Sequence, residues 1–242
     1  MTDDAPATRT RNTQTSGRKR GAKYLVRDVL VIFVVAIICS FLIKTYIVRS
    51  FYIPSGSMEN TLRIDDRVIV NELVPAVFPV ERGDIVVFKD PGGWLPEKKP
   101  VVLNPIAAGF DWVLSLVGIS GSDANDHLIK RVIGVAGDHV ACCSPTGQIT
   151  INGSPIYEPY LLLPAGQTTA SATPFDVVVP PESLWVMGDN RNNSRDSRVH
   201  PDDPDGGFVR MNKVVGRAIF VSWPLWHWTW LDNYPDVFRG AG

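Results

Sequence analysis

Two serines, Ser55 and Ser57, flank a glycine in the stretch Ile53–Leu62, IPSGSMENTL. A serine hydroxyl becomes a nucleophile once a neighbouring base takes its proton. Pro-Ser-Gly is also ordinary turn chemistry, so the serines alone leave both readings open. Candidate bases are few. The four histidines, His127, His139, His200 and His227, are scattered and show no partner pattern. Beyond Arg49 the lysines are Lys89, Lys98, Lys99, Lys130 and Lys213. Lys130 differs from the rest because HLIKRVIGVAG sets it within a Leu/Ile/Val run. In a strand, alternation puts Leu128, Lys130 and Val132 on one face and Ile129, Arg131 and Ile133 on the other. Either one of the two basic residues points at apolar surroundings, or Lys130 is the solvent-facing residue of a half-exposed strand. Burial would disfavour the ammonium and lower its pKa, which suits a general base near neutral pH. Arg131 could not serve, since a guanidinium stays protonated.

The polar run Met187–Arg198, MGDNRNNSRDSR, brings Asp189, Asn190, Arg191, Ser194, Arg195, Asp196, Ser197 and Arg198 together. It reads as a polar hairpin loop, or as a hydrogen-bonded and ion-paired network that fixes its neighbours. Gly188, without a side chain, would let a lysine approach closely. Other chemistries find little support. The chain has no G-x-x-x-x-G-K, no strand-linked G-x-G-x-x-G, no H-E-x-x-H and no G-x-S-x-G. Members of a Ser-His-Asp triad need only meet in space, but nothing in the sequence favours one. Cys39 lies in an apolar run, and Cys142 and Cys143 are adjacent. No Cys spacing fits zinc, and the pair is either two unpaired thiols or a vicinal disulfide. A formal net charge of −1 gives none of the basic footprint of nucleic-acid binding.

These residues need a scaffold. The 242 residues, 45% hydrophobic and 20% charged, have ordinary globular composition. Residues 1–22 hold no Leu, Ile, Val or Phe and cannot build a core, so the basic tail, taken as 1–27, is expected to be disordered. From Val29 to Ile43 no charge appears, and apolar residues resume after Lys44. Such a run spans hydrocarbon, with Lys44 snorkelling. Bulky residues follow it where a cleaved signal would carry small ones, so residues 28–48 read as an uncleaved anchor. Seven basic residues precede it, against Asp3 and Asp4. The positive-inside rule then sets the N-terminus in the cytoplasm and residues 49–242 outside. That portion is a series of short Val/Ile-rich runs bounded by Gly, Pro, Asp and Asn. The fold expected is mainly β: one transmembrane helix, then an all-β, barrel- or sandwich-like catalytic domain with a smaller β insert. Residues 91–127 form a surface insert with a short helix at Ile106–Gly118, and 139–178 a cap-like β region. Trp223, Trp226, Trp228 and Trp230 crowd into eight residues. They are core or strand-edge residues, or an interfacial patch that holds the domain to the bilayer.

Four segments, taken together and in order after an N-terminal anchor, resemble the bacterial type I signal peptidases, or leader peptidases. They are PSGSMENTL (Pro54–Leu62), RGDIVVFKDP (Arg82–Pro91), IKRVIGVAGD (Ile129–Asp138) and GDNRNNSRDSR (Gly188–Arg198). The likeness runs from about Val29 to Ser222. It implies a membrane-bound serine endopeptidase that removes signal peptides after small residues in an Ala-x-Ala pattern. It further implies Ser57 as nucleophile, Lys130 as general base, and Ser55 with the Ser57 N–H as oxyanion donors. By the same likeness Ser194 orients the lysine, Gly188 and Asp189 belong to the supporting network, Asp196 and Arg198 form a supporting ion pair, and Met58 shapes the substrate pocket. The implied partners are signal-bearing preproteins, the phospholipid membrane and export machinery nearby, with no nucleic acid. No metal or cofactor is implied. The sequence departs from the family in three places: Asn192 stands where an acidic residue is frequent, the cysteines are adjacent rather than separated, and there is one anchor where some relatives have two. Two rivals are a self-cleaving repressor-type Ser-Lys enzyme and a membrane-tethered β domain that only binds.

Overall fold

The computed structural model describes residues 18–95 and 126–241. The tail before residue 18, the expected helix at Ile106–Gly118 and nearly all of the expected insert lie outside the described residues. Two units are present, one up to Lys44 and one from Thr45 onward. The first is helix α1, Arg18–Tyr46. Its 29 residues span about 43 Å at 1.5 Å per residue, more than a hydrocarbon core of about 30 Å. The window Tyr24–Phe41 has mean hydropathy 2.3 and no buried side chain, so it is long and apolar enough to cross a membrane. Within the described residues the helix is already present at Arg18, inside the segment taken as the basic tail.

The second unit opens with β1 (Val48–Tyr52), β2 (Arg67–Asn71), the short helix α2 (Leu73–Ala76) and β3 (Ile85–Lys89). After the undescribed stretch come β4 (His127–Val135), β5 (His139–Cys142), β6 (Ile149–Ile151), β7 (Ser154–Pro155) and β8 (Phe175–Val178). The chain closes with β9 (Ser183–Met187), β10 (Val209–Arg210), β11 (Val214–Trp223), β12 (Thr229–Trp230) and the short helix α3 (Pro235–Phe238). Eight strands make one antiparallel sheet in the order β1-β2-β11-β3-β4-β9-β10, with β12 also on β11. Four make a second sheet, β7-β6-β5-β8. The large sheet is open, so the fold is sandwich-like and not a closed barrel.

Strand patterns follow their surroundings. β2 buries Val68 and Val70 and leaves Arg67, Ile69 and Asn71 half-exposed, the alternation of a strand with one wet face. β4 is buried from Leu128 to Gly134, as its nearly continuous apolar run requires. Both of its faces are therefore inside, and the solvent-facing reading of Lys130 fails. β3 fixes the register, pairing Val86 with Lys130 and Ile85 with Arg131. One apolar cluster joins Ile53, Met58, Leu62, Val87 and Ile129, so the stretch after β1 is stitched to the β3–β4 face.

Of the two readings of the cysteine pair, the structure has Cys142 and Cys143 joined as a vicinal disulfide. Trp223, Trp226, Trp228 and Trp230 are 50% to 81% exposed, with Trp230 on the edge strand β12. Core packing is not their role.

Candidate active site

Ser57 sits in a single 3₁₀ turn, Gly56–Met58, directly after the extended residues that follow β1. Met58 and Leu62, both fully buried, pin the turn, each worth about 2 kcal/mol of apolar burial. The turn therefore faces β4 as part of the core and is not a free linker. Ser57 is 5% exposed and Lys130 3% exposed. The Lys130 ammonium Nζ donates to Ser57 Oγ at 2.8 Å and to the Ile129 carbonyl at 2.9 Å. Ser55 Oγ lies 3.4 Å from Ser57 Oγ. Burial pushes the Lys130 pKa down from 10.5 to about 8. Asp196 and Asp189 pull it back up, and Arg198 lowers it further.

The loop after β9 surrounds this pair. Gly188 N–H donates to Asp196 Oδ2 at 3.0 Å. A Cβ at Gly188 would lie 2.3 Å from Ser194 Oγ and 2.4 Å from the Ser57 carbonyl, so only glycine fits there. Arg198 grips Asp196 through Nε at 2.8 Å and Nη2 at 2.7 Å. Burial alone would raise the Asp196 carboxyl, but the Arg198 and Gly188 hydrogen bonds outweigh it and hold the group below its ordinary value. Asn190 N–H donates to the Ser57 carbonyl at 3.1 Å, and its Nδ2 to the Gly56 carbonyl at 3.1 Å. The loop thus clamps the serine turn from the backbone side.

Ser57, Lys130, Ser55, Gly188, Asp196 and Arg198 are thus brought into one neighbourhood. Two other candidates are placed differently. Ser194 stands against Gly188 and helps hold the Asp196 carboxyl down, and its Oγ makes no bond to Lys130. Met58 lies wholly within the apolar cluster. The cavity beside Lys130, about 90 Å³, is lined instead by Phe51, Ile53, Ser55, Val87, Leu128 and Ile129, among others.

Sequence reasoning missed several participants. Arg131, fully buried on the opposite face of β4, makes a bidentate pair with Asp189 at 2.9 and 2.8 Å. Thr61 Oγ1 donates to the same carboxylate at 2.5 Å. Arg191 pairs with Glu158 across 33 residues, at 3.0 and 2.5 Å, and its Nε donates to the Gly188 carbonyl. The density of charge in GDNRNNSRDSR was a signal for these networks, but nothing local marks Glu158 or Thr61. Among the described residues no cluster of His, Cys, Asp and Glu could hold a metal.

A buried hydroxyl against a lysine whose charge is destabilised, on a β scaffold, is an arrangement that suits a serine-type hydrolase. The family described as "Signal peptidase, peptidase S26" matches residues 26–223, and this chain belongs to it. Signal peptidase I of Mycobacterium tuberculosis (strain H37Rv) is 37% identical, over 84% of this chain and 74% of its own. Probable signal peptidase I of Mycobacterium leprae (strain TN) is 36% identical, over 87% and 80%. Signal peptidase I S of Bacillus subtilis (strain 168) is 31% identical, over 79% and 86%. A solved signal peptidase I from Enterococcus faecalis V583 aligns with 57% of this chain and 96% of its own, at 22% identity and a TM-score of 0.36.

Proposed function

We propose that Ser57 is the nucleophile and Lys130 the general base with which this signal peptidase, a serine-type endopeptidase, removes signal peptides from preproteins. The observation that carries the assignment is the 2.8 Å contact between Lys130 Nζ and Ser57 Oγ inside the protein. A lysine with a pKa of about 8 is neutral in a useful fraction near neutral pH, where a free lysine is not. The neutral amine takes the Ser57 proton as Oγ attacks the scissile carbonyl. The oxyanion accepts hydrogen bonds from the Ser57 N–H and the Ser55 hydroxyl. Lys130 then gives its proton to the departing amine, leaving an acyl-enzyme. Water, deprotonated by the same amine, releases the signal peptide and regenerates Ser57. Ile129 holds the amine by its carbonyl, Asp196 and Arg198 fix the loop, and Gly188 leaves room for the contact. Asp189 and Ser194 belong to the surroundings that support this geometry.

The cavity beside Lys130 is small and largely apolar. That supports cleavage after small side chains, in the Ala-x-Ala pattern, with the substrate laid down as an added strand. The basic N-terminal segment supports a cytoplasmic N-terminus, with the β unit on the outer side of the membrane and export machinery nearby. Ser57 follows residue 48 by only nine positions, which keeps the site close to the bilayer. The exposed tryptophans supply a second, lipid-facing contact for the β unit.

The test uses the full chain in detergent and a preprotein whose signal ends in Ala-x-Ala. Ser57→Ala and Lys130→Ala are expected to lose about a thousandfold or more in kcat while keeping the wild-type circular dichroism. Substantial cleavage by a folded Lys130→Ala would move the base elsewhere.

A further inference from the structure

Residues beyond the matched span 26–223 reach back to the strand that carries Lys130. Leu231 N–H donates to the Ile219 carbonyl at 2.9 Å. Asn152 Nδ2 donates to the Ala241 carbonyl at 2.8 Å, and Phe238 and Ala241 are buried. Between these two attachments the segment passes Arg131. Arg131 Nη1 donates to the Gly83 carbonyl at 2.8 Å and to the Asp232 carbonyl at 2.9 Å. Its guanidinium carbon stands 4.0 Å from the ring centre of Tyr160 and 5.3 Å from that of Tyr234. The remaining edge of the guanidinium is the one that grips Asp189.

Two backbone features commit the chain to this contact. Gly83 has φ +88°, and a Cβ there would lie 1.8 Å from the Asn233 carbonyl. Tyr234 has φ +49°, a left-handed conformation that bulky residues rarely adopt. Such conformations persist where the surroundings over-determine them.

We propose that Asp232 and Tyr234 are positioning residues for peptide-bond cleavage, holding Arg131 against Asp189 and so fixing both the charge that Lys130 meets and the Ser57 turn. The inference rests on the Ser57–Lys130 reading. Asp189 is the point of transfer. Its carboxylate favours the protonated lysine, and Arg131 is the cation paired with that carboxylate. The same carboxylate accepts from Thr61, four residues past Ser57, and the next residue, Asn190, holds the Gly56 and Ser57 carbonyls. If one wall of the cage goes, the guanidinium tilts off Asp189. The uncompensated carboxylate then keeps Lys130 protonated to higher pH, and the serine turn loosens. The other charges on Lys130, Asp196 and Arg198, are paired with each other and do not change.

The experiment uses the full chain in detergent and an Ala-x-Ala preprotein, and reads kcat, KM and the acid limb of the kcat–pH profile. Tyr234→Leu keeps apolar bulk but removes the aromatic face, whereas Tyr234→Phe keeps that face. Gly83→Ala displaces the Asn233 carbonyl from the other side. Tyr234→Leu and Gly83→Ala are expected to lower kcat about tenfold, with KM within about twofold. Their acid limb should move up by about half a unit, and Tyr234→Phe should match wild type. An unmoved acid limb in Tyr234→Leu overturns the proposal, whatever the variant does to stability. So does a Tyr234→Phe as impaired as Tyr234→Leu. Should Gly83→Ala not fold, the Tyr234 pair decides alone. Ser57→Ala and Lys130→Ala run beside them, so retained cleavage there marks failure of the dyad reading and not of the positioning role.

Discussion

At the scale of the residue, the central fact is a lysine kept inside at a cost. Its pKa falls from 10.5 to about 8, because water no longer stabilises the ammonium. A lowered pKa on a cationic group penalises folding. Below about pH 8 both the folded and the unfolded chain carry the charge, and the penalty is complete. It fades as pH rises from about 8 to 10.5, where only the unfolded chain still binds the proton. The full penalty is about 3 kcal/mol. Lys130→Met is therefore expected to be inactive yet to resist urea better than wild type at pH 7 by about 1–3 kcal/mol. That gain should shrink between about pH 8 and 10.5; urea titrations at three pH values would measure it. A gain that grows with pH would mean that Lys130 is not destabilised by burial. The activity of wild type should rise through an apparent pKa near 8, as the amine loses its proton.

At the scale of the element, β4 works on both of its faces. One face presents Lys130 to the serine turn, and the other sends Arg131 to Asp189. The loop after β9 closes on the first through Gly188 and Asn190, and on the second through Asp189. Asp189→Asn would leave a buried guanidinium short of its counter-charge. We expect it to destabilise the chain by about 3–5 kcal/mol in urea unfolding. It should also move the acid limb of activity downward, since one carboxylate that favours the protonated lysine is gone. This is the opposite sign to that expected for Tyr234→Leu, so the two shifts cross-check the role of the Asp189 charge. Leu62, fully buried four residues past the turn's end, bears on the same unit from below.

At the scale of the whole molecule, the chain joins an apolar helix to a β unit with four exposed tryptophans. All seven tryptophans lie beyond α1, so tryptophan fluorescence carries no signal from that helix. In proteoliposomes containing brominated lipid, wild-type fluorescence should be quenched. Trp226→Ser combined with Trp228→Ser should relieve most of that quenching. Equal quenching in both would remove the lipid-facing role from these residues. Cleavage of a soluble peptide in detergent should be unchanged, because neither side chain lines the cavity beside Lys130.

The elements were legible in the sequence because local chemistry specifies them. An uncharged run of Val, Ile and Phe reads as a spanning helix, and short Val/Ile runs between Gly, Pro and Asp read as strands. The four segments that resemble signal peptidases, taken in their order, single out Ser57 and Lys130 as the candidates for the proposed dyad. What the sequence left open were questions of which side and which partner. Alternation set Lys130 and Arg131 on opposite faces but was silent on which faces are dry; β3, β9 and the apolar cluster on Ile53 and Met58 decided that both are. Ser194 was expected to hold the lysine, yet only the backbone path of the loop fixes where its hydroxyl ends, against Gly188. Glu158, Thr61, Asp232 and Tyr234 carry no local signal, since their partners lie 33, 128, 101 and 103 positions away along the chain. Contacts of that separation are made when strands pair and loops close over them, and tertiary structure alone brings such residues into contact with one another.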